Sequence, residues 1–271
     1  MRYRACLNAL LCGVALLPVL GHAGCSRVIS VPLSATGLGV MVDGGSVTGG
    51  VYPDVLRSIQ ARGDCSFALS VVPRARLEAM FKNGSADLLI PATRSPQREL
   101  SGLFVPLVRN RATLISVRSD RAPITSVQEL LDNASIKVVL VRGFTYGAVY
   151  DELARKLEGL GRLQYEADPA SVARRLQDQS GLVTLMAPSI LVGEIRTQRR
   201  LQRLLGNLRF ETLEELPWGE SGAYVSRRSL NEADTRTLIG LLENAAKSGL
   251  VWKEFRRYYS DDLRLEGIAP R

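Results

Sequence analysis

A hydroxyl and a guanidinium follow one short apolar strand, and together these two groups could bind a small anion. The strand is predicted over residues 87–90, and Thr93 stands just beyond its end. Ser95 and Pro96 are the usual signals of a helix start, which puts Arg98 in the first turn. Ligand groups gather beyond the carboxyl ends of strands, and a guanidinium can donate two parallel hydrogen bonds to a carboxylate. We therefore predict an anion-binding site at Thr93 and Arg98.

The first residues have the pattern of a secretory signal. Residues 1–4 contain two arginines, residues 5–20 are largely apolar, and Gly21-His22-Ala23 offers a small-residue cleavage site. The apolar run is shorter than the roughly 20 residues that a membrane span needs. We expect residues 1–23 to be removed on export and the remaining chain to act in the periplasm. A lipid anchor on Cys25 is the alternative, which His22 disfavours because such sites normally have an aliphatic residue there.

The composition excludes the commonest hydrolase and zinc chemistries. His22 is the only histidine in the chain, and it lies in the predicted signal. The exported chain therefore cannot build a Ser-His-Asp or Cys-His pair, or a histidine-ligated zinc site. The formal net charge is +8, but the arginines of residues 196–203 have no interleaved aromatic residues, which favours a solvated helix face over a nucleic-acid surface. We expect no metal, no cofactor and no nucleic-acid partner.

Two cysteines, Cys25 and Cys65, remain after the predicted signal. Each stands immediately before a strand-like apolar run, at residues 28–31 and 67–72. If these strands are parallel neighbours, their starts lie side by side, and in an oxidising compartment we expect a disulfide. The alternative is two buried free thiols.

Apolar strands alternate with helices along the chain, which is typical of β-α-β units. Extended segments replace this alternation from residue 103, and a second α/β series then runs from residue 125 to residue 216. The order predicts two α/β lobes, each with a mixed, mainly parallel sheet and flanking helices, joined by two crossing strands. We assign residues 24–115 and 220–271 to lobe 1 and the inserted residues 116–219 to lobe 2.

Four motifs, taken in order, resemble those of the family 3 extracellular solute-binding proteins, which serve ABC importers of polar amino acids. Ser95-Pro96-Gln97-Arg98 is similar to the family's Thr-Pro-Glu-Arg motif, and Phe104-Val105-Pro106 stands where the family has Phe-Ser-x-Pro. Residues 77–87 have Phe, Gly and Asp at the family's spacing, and Val141-Arg142-Gly143-Phe144-Thr145-Tyr146 resembles its Gly-Thr-Thr loop. A fifth motif, residues 50–55, matches the start of the family's first helix loosely. The resemblance implies the two-lobed type 2 periplasmic binding fold.

The resemblance also implies roles for residues of both lobes. In the family, the arginine that corresponds to Arg98 holds the carboxylate of the ligand. The loop at Gly143 would present the Thr145 hydroxyl and helix N-terminal amides to the same carboxylate, beside Tyr146. The family's properties further imply a small-molecule ligand, an inner-membrane permease as partner, a monomer and no catalysis.

Two departures from the family bear on the ligand. Arg74 replaces the aromatic residue that usually stacks on the ligand, and Ala187-Pro188-Ser189 stands where amino-acid binders place an aspartate for the ammonium group. An additional cation and a missing anion predict an electropositive pocket for an anionic or carboxylate-bearing solute. The alternative for Arg74 is an exposed helix-start residue paired with Glu78.

Two other functions fit the same fold. A few relatives resembling this family are periplasmic dehydratases, which need a carboxylate in the cleft as acid or base. Glu220 and Asp168 are the candidates, although neither stands in a recognisable motif. The second alternative is a sensory module that reports to a signalling protein instead of a permease.

Overall fold

The computed structural model describes residues 24–259 and 267–271, so the predicted signal at residues 1–23 lies outside the described residues. The strands are β1 Ile29–Leu33, β2 Met41–Asp43, β3 Ser46–Gly49, β4 Phe67–Val71, β5 Leu88–Thr93, β6 Gly102–Asn110, β7 Thr113–Val117, β8 Lys137–Val141, β9 Leu163–Glu166, β10 Leu182–Met186, β11 Leu208–Glu211, β12 Gly219–Ser226 and β13 Ile268–Pro270. The helices are α1 Val51–Gln60, α2 Arg74–Asn83, α3 Pro96–Glu99, α4 Val127–Asp132, α5 Ala148–Gly159, α6 Pro169–Asp178, α7 Pro188–Thr197, α8 Glu232–Lys247 and α9 Leu250–Tyr258, with a 3₁₀ segment at Arg199–Asn207.

Lobe 1 is built on the strand order β13-β6-β12-β5. The parallel pair β1–β4 forms a separate two-stranded sheet beside it, and the Asp87 N–H, just before β5, donates to the carbonyl of Ser30 in β1 (3.0 Å). Successive side chains of a strand point to opposite faces. Helices α1, α8 and α9 cover one face, where Phe255 joins the core, and α2 covers the other through Leu77 and Phe81.

Lobe 2 is built on a five-stranded sheet of order β11-β7-β10-β8-β9. Helices α4 and α5 pack on one face and contribute Leu130 and Leu153 to its core. Helices α6 and α7 and the 3₁₀ segment pack on the other face, with Leu176 and Leu191. Two apolar layers therefore enclose this sheet.

The sheets are mixed, as predicted, but they are not mainly parallel. Of nine pairings between described strands, β1–β4, β8–β9 and β8–β10 are parallel and the other six are antiparallel. The crossings contribute to the antiparallel pairing, because β12 returns from lobe 2, lies between β5 and β6 and is antiparallel to both. A helix between two strands indicates parallel pairing locally, whereas the direction of a returning strand is set by the whole chain path.

Two crossings join the lobes, at residues 111–112 and 212–218 between the flanking strands. The predicted boundary after residue 115 falls inside β7, which lies whole in the sheet of lobe 2; the division of the chain at these boundaries stays a prediction. The crossings contact each other, since Arg111 Nη2 donates to Thr212 Oγ1 (3.2 Å). The Arg109 and Arg111 guanidiniums also lie 5.5 and 5.1 Å from the centre of the Trp218 ring.

The structure joins Cys25 and Cys65 in a disulfide, with their Cα atoms 4.9 Å apart. The strand arrangement from which this disulfide was predicted is also present. Strands β1 and β4 are parallel neighbours, and Ile29 lies opposite Phe67. The strands therefore start side by side, and the cysteines just before them meet. The bridge fixes the start of the described chain to lobe 1.

Several elements escaped the sequence prediction. Strands β2 and β3 form a hairpin in the Gly-rich loop, where Gly44 and Gly45 adopt positive φ angles of 54° and 77°. Helix α7 is buried on most of its surface and so lacks the polar face that marks a helix in a sequence. The arginine-rich segment expected to be helical divides into the end of α7 and the 3₁₀ segment. None of the described helices is long and apolar enough to cross a membrane.

Candidate ligand-binding cleft

A cavity of about 40 Å³ lies where the two lobes meet. Of the residues predicted from the sequence, Arg74, Thr93, Arg98, Thr145 and Tyr146 line it. A second cavity of about 40 Å³ adjoins it and ends against aromatic rings of lobe 1. The shared walls of the two cavities include Thr36, Asn110 and Ser221. The structure thus brings the predicted residues together, while their role in binding stays a prediction.

Arg98 is buried at this cleft, but its two parallel donors already have a partner. Its Nε and Nη2 atoms donate to Glu78 Oε2 (3.1 Å) and Oε1 (2.7 Å), and its Nη1 donates to the carbonyl of Thr93 (2.6 Å). The predicted helix start is present, since the Arg98 N–H donates to Ser95 Oγ (3.4 Å). Glu78 therefore occupies the position that the resemblance implies for the carboxylate of a ligand.

Arg74 also faces the cleft, and only 4% of it is exposed. Its Nη2 pairs with Glu78 Oε1 (2.7 Å), and its Nη1 donates to the carbonyl of Pro91 (2.7 Å). The guanidinium lies 5.9 Å from the centre of the Phe144 ring of lobe 2. Arg74 therefore pairs with Glu78, as one interpretation predicted, but it is buried in the cleft and not exposed. Its role toward a ligand stays a prediction.

Glu78 is the cleft residue whose role the sequence analysis missed. Burial acts to raise its pKa, but the charges of Arg74 and Arg98 and their hydrogen bonds outweigh burial and lower it. Glu78 is therefore ionised at neutral pH. Two guanidiniums against one carboxylate leave a net charge of +1 in this cluster. Burial lowers the pKa of Arg74, and the charge of Glu78 acts to raise it.

The predicted loop of lobe 2 approaches this cluster closely. Gly143 has a φ of +87°, and a Cβ there would lie 3.2 Å from Arg74 Cγ. Thr145 does not present a free hydroxyl proton, because its Oγ1 donates to Asp151 Oδ1 (2.6 Å) and accepts the Gly147 N–H (3.2 Å). The Tyr146 hydroxyl accepts the N–H of Ala187 (2.8 Å), which engages its oxygen but leaves its proton able to donate. Of these two hydroxyls in the loop, Tyr146 is therefore the one that can donate to a ligand in the cleft.

A second contact between the lobes lies beyond the cavities. The Gly37 N–H donates to Glu194 Oε2 of α7 (3.2 Å), and burial raises the pKa of that carboxyl. The two backbones touch here, because a Cβ at Gly37 would lie 2.6 Å from Glu194 N, and one at Gly193 would lie 2.7 Å from Leu38 N. The Tyr259 hydroxyl also donates to the carbonyl of Ser189 (3.0 Å). The lobes are therefore closed on each other.

A wider chamber of about 400 Å³ opens outside the inner cavity, past Thr93 and Tyr146. Glu220 lines it and pairs with Arg94 (3.3 Å). Asp168, the other candidate for a catalytic carboxylate, caps α6 by accepting the Ser171 N–H (2.7 Å). Neither carboxylate lines the two inner cavities.

The fold is shared with solved structures of binding proteins and sensor domains. The substrate-binding protein of an amino acid ABC transporter is 14% identical, covering 87% of this chain and all of that one, with a TM-score of 0.65. A histidine kinase sensor domain with similarity to periplasmic binding proteins is 19% identical (90% and 98% covered, TM-score 0.68). The amino acid ABC transporter substrate-binding protein AbpA from Streptococcus pneumoniae, bound to L-arginine, is 16% identical (87% and 96% covered, TM-score 0.67).

These likenesses confirm the predicted resemblance at the level of the fold: the chain has the two-lobed α/β fold of substrate-binding proteins. No protein-family model and no curated protein matches it.

Proposed function

We propose that the chain is a non-catalytic solute-binding protein that captures a small anionic, carboxylate-bearing solute between its lobes. The observation that carries this proposal is the cluster of the buried Arg74 and Arg98 with the partly buried Glu78, whose net charge is +1. A buried charge without a counter-charge is costly, so an anion that enters the closed cleft is favoured and a cation is opposed. The unpartnered Nε of Arg74 offers a donor to such an anion.

Delivery to an inner-membrane permease after export to the periplasm is the second part of the proposal. Its support is the fold, because two of the similar structures are substrate-binding proteins of ABC transporters. A monomer agrees with this use, since one chain supplies both walls of the cleft.

A sensory module is the second candidate function. Its support is equally specific, because a histidine kinase sensor domain and the second VFT domain of BvgS from Bordetella pertussis have the same fold. In this case the chain would capture the same solute but transmit closure to a signalling partner. A dehydratase has no comparable support, because its candidate carboxylates, Glu220 and Asp168, are not among the residues that line the two inner cavities.

A thermal-shift screen of organic acids, acidic amino acids and basic amino acids tests the ligand class. A ligand in excess raises the melting temperature by mass action. We expect stabilisation by small carboxylates and none by lysine or arginine. Stabilisation by basic amino acids alone would refute the proposal.

The variant Glu78→Gln sharpens this test. It leaves two uncompensated guanidiniums in the cleft, so carboxylates should stabilise it more than they stabilise the wild type. Glu158→Gln makes the same change at an exposed position of α5 and should respond like the wild type. Equal responses of both variants to carboxylates would show that the cluster does not bind the ligand.

A further inference from the structure

Three nearly fully buried polar atoms at the inner cleft lack a hydrogen-bond partner among the described residues: Thr36 Oγ1, Arg74 Nε and Asn110 Oδ1. Their residues are 3%, 4% and 7% exposed. A buried polar group without a partner costs about 1–3 kcal/mol, so such groups are normally satisfied. Three of them around connected cavities indicate a site that is completed by a bound molecule.

The three atoms differ in what they require. The Nε of Arg74 can only donate and lies at the charged end of the cleft, so it requires an acceptor such as a carboxylate. Thr36 and Asn110 line both cavities and carry uncharged groups that can donate or accept. A ligand that satisfies all three atoms needs an anionic group at one end and a hydrogen-bonding group at the other.

The charge of the site determines what the second group can be. No aspartate or glutamate is among the described residues that line the two cavities. An ammonium group beside Thr36 and Asn110 would therefore be buried without a counter-charge, which is costly. A hydroxyl has no such cost. In addition, a monoanion neutralises the +1 of the arginine cluster, whereas a zwitterion leaves it unchanged.

Resting on the proposed function, we propose that Thr36 and Asn110 form a specificity subsite for a hydroxyl group, and that the chain selects small hydroxycarboxylates over the amino acids of the same shape. The cavity volumes agree with this size. A volume of 40 Å³ is several times what a single water needs, so the two adjoining cavities agree with a small ligand and not with a large one.

Matched pairs that exchange only a hydroxyl for an ammonium group test the proposal. The probes are lactate against alanine and glycerate against serine, each as both enantiomers, with propionate and inorganic phosphate as anions without this feature. Calorimetry on the wild type should show that at least one hydroxy acid binds about 100-fold or more tightly than its amino acid partner. The same hydroxy acid should also bind more tightly than propionate.

The variant Asn110→Asp should reverse this preference. The added carboxylate makes the site neutral overall and supplies a counter-charge for an ammonium group, so the amino acid of each pair should bind more tightly than the hydroxy acid. Asn244→Asp introduces the same charge at an exposed position of α8 and should keep the wild-type order. Asn110→Ala should lose most of the preference for the hydroxy acid over propionate, because Thr36 is then the one remaining partner of the hydroxyl.

The outcomes separate this inference from the proposed function. If the wild type binds carboxylates but does not distinguish the members of the pairs, or prefers the amino acids, the subsite is wrong and the anion receptor stands. An unchanged preference of Asn110→Ala for the hydroxy acid over propionate would equally overturn the subsite. If no carboxylate in the panel or in the organic-acid screen binds, both proposals fail.

Discussion

At the scale of single residues, one carboxylate serving two guanidiniums determines the chemistry of the cleft. Glu78 holds Arg74 and Arg98 in place without cancelling both charges. The two side chains are therefore ordered before a ligand arrives, which reduces the conformational entropy lost on binding. The remaining positive charge then favours an anionic ligand over a cationic one.

Replacing Arg74 or Arg98 with alanine should weaken carboxylate binding by about 2 kcal/mol or more, roughly 30-fold, because the cluster loses its net positive charge. Calorimetry with the best carboxylate from the screen measures the effect. Arg76→Ala is the control, since Arg76 lies on the same helix but is exposed. Unchanged affinity in both cleft variants would refute the site.

Stability should depend on pH through Glu78. Its folded-state pKa is lowered, so its contribution is present above its unfolded pKa of about 4.3 and is lost as pH falls through the folded value. Glu78→Gln should therefore be less stable than the wild type by about 3 kcal/mol at pH 7, and this difference should shrink below about pH 4. Thermal unfolding between pH 7 and pH 3 tests this, and a difference independent of pH would contradict it.

At the scale of elements, the disulfide acts on the first α/β unit. It joins residues 40 positions apart and so contributes about 3–4 kcal/mol in the chain-entropy model. The variant carrying Cys25→Ser and Cys65→Ser together should melt roughly 10 °C lower than the oxidised wild type. Reductant should lower the melting temperature of the wild type toward the same value and leave the double variant unchanged. A wild type that is insensitive to full reduction would show that the bridge does not stabilise the fold.

The elements were largely predictable from the sequence, and the cleft only in part. Helix-start signals at Ser95 and Pro96 located Arg98 correctly because capping is a local interaction. The burial of Arg74 was not predictable from its own helix, since Phe144 and Gly143, which cover it, come from the other lobe. Nothing in the sequence indicated a role for Asn110. Whether a buried polar side chain finds hydrogen-bond partners depends on how distant segments of the chain pack together, and the local sequence does not determine that.

At the scale of the whole molecule, closure depends on backbones that touch at Gly37 and Gly193. Gly193→Ala should hinder closure, because its Cβ would lie 2.7 Å from Leu38 N across the lobe interface. Relief of such overlap costs about 1–3 kcal/mol, so carboxylate affinity should fall roughly tenfold or more. The folded state should not lose stability, since alanine favours a helix over glycine.

Calorimetry and small-angle X-ray scattering together test this prediction. With the best carboxylate from the screen, the wild type should be more compact than Gly193→Ala at the same ligand concentration. Gly240→Ala, in helix α8 with open space around its Cβ position, should match the wild type in both measurements. If Gly193→Ala binds and compacts like the wild type, the glycine contact does not limit closure.

The contact of the Trp218 ring with the Arg109 and Arg111 guanidiniums has a spectroscopic consequence. Trp218 and Trp252 are the only two tryptophans of the chain, and Trp252 packs within α9 against Phe255. A nearby guanidinium alters the emission of an indole, and of the two rings only that of Trp218 lies on a crossing between the lobes. The proposed function requires the lobes to open and close about the crossings, so we expect ligand-driven closure to change the emission without any added dye, and Trp218→Phe to abolish the change.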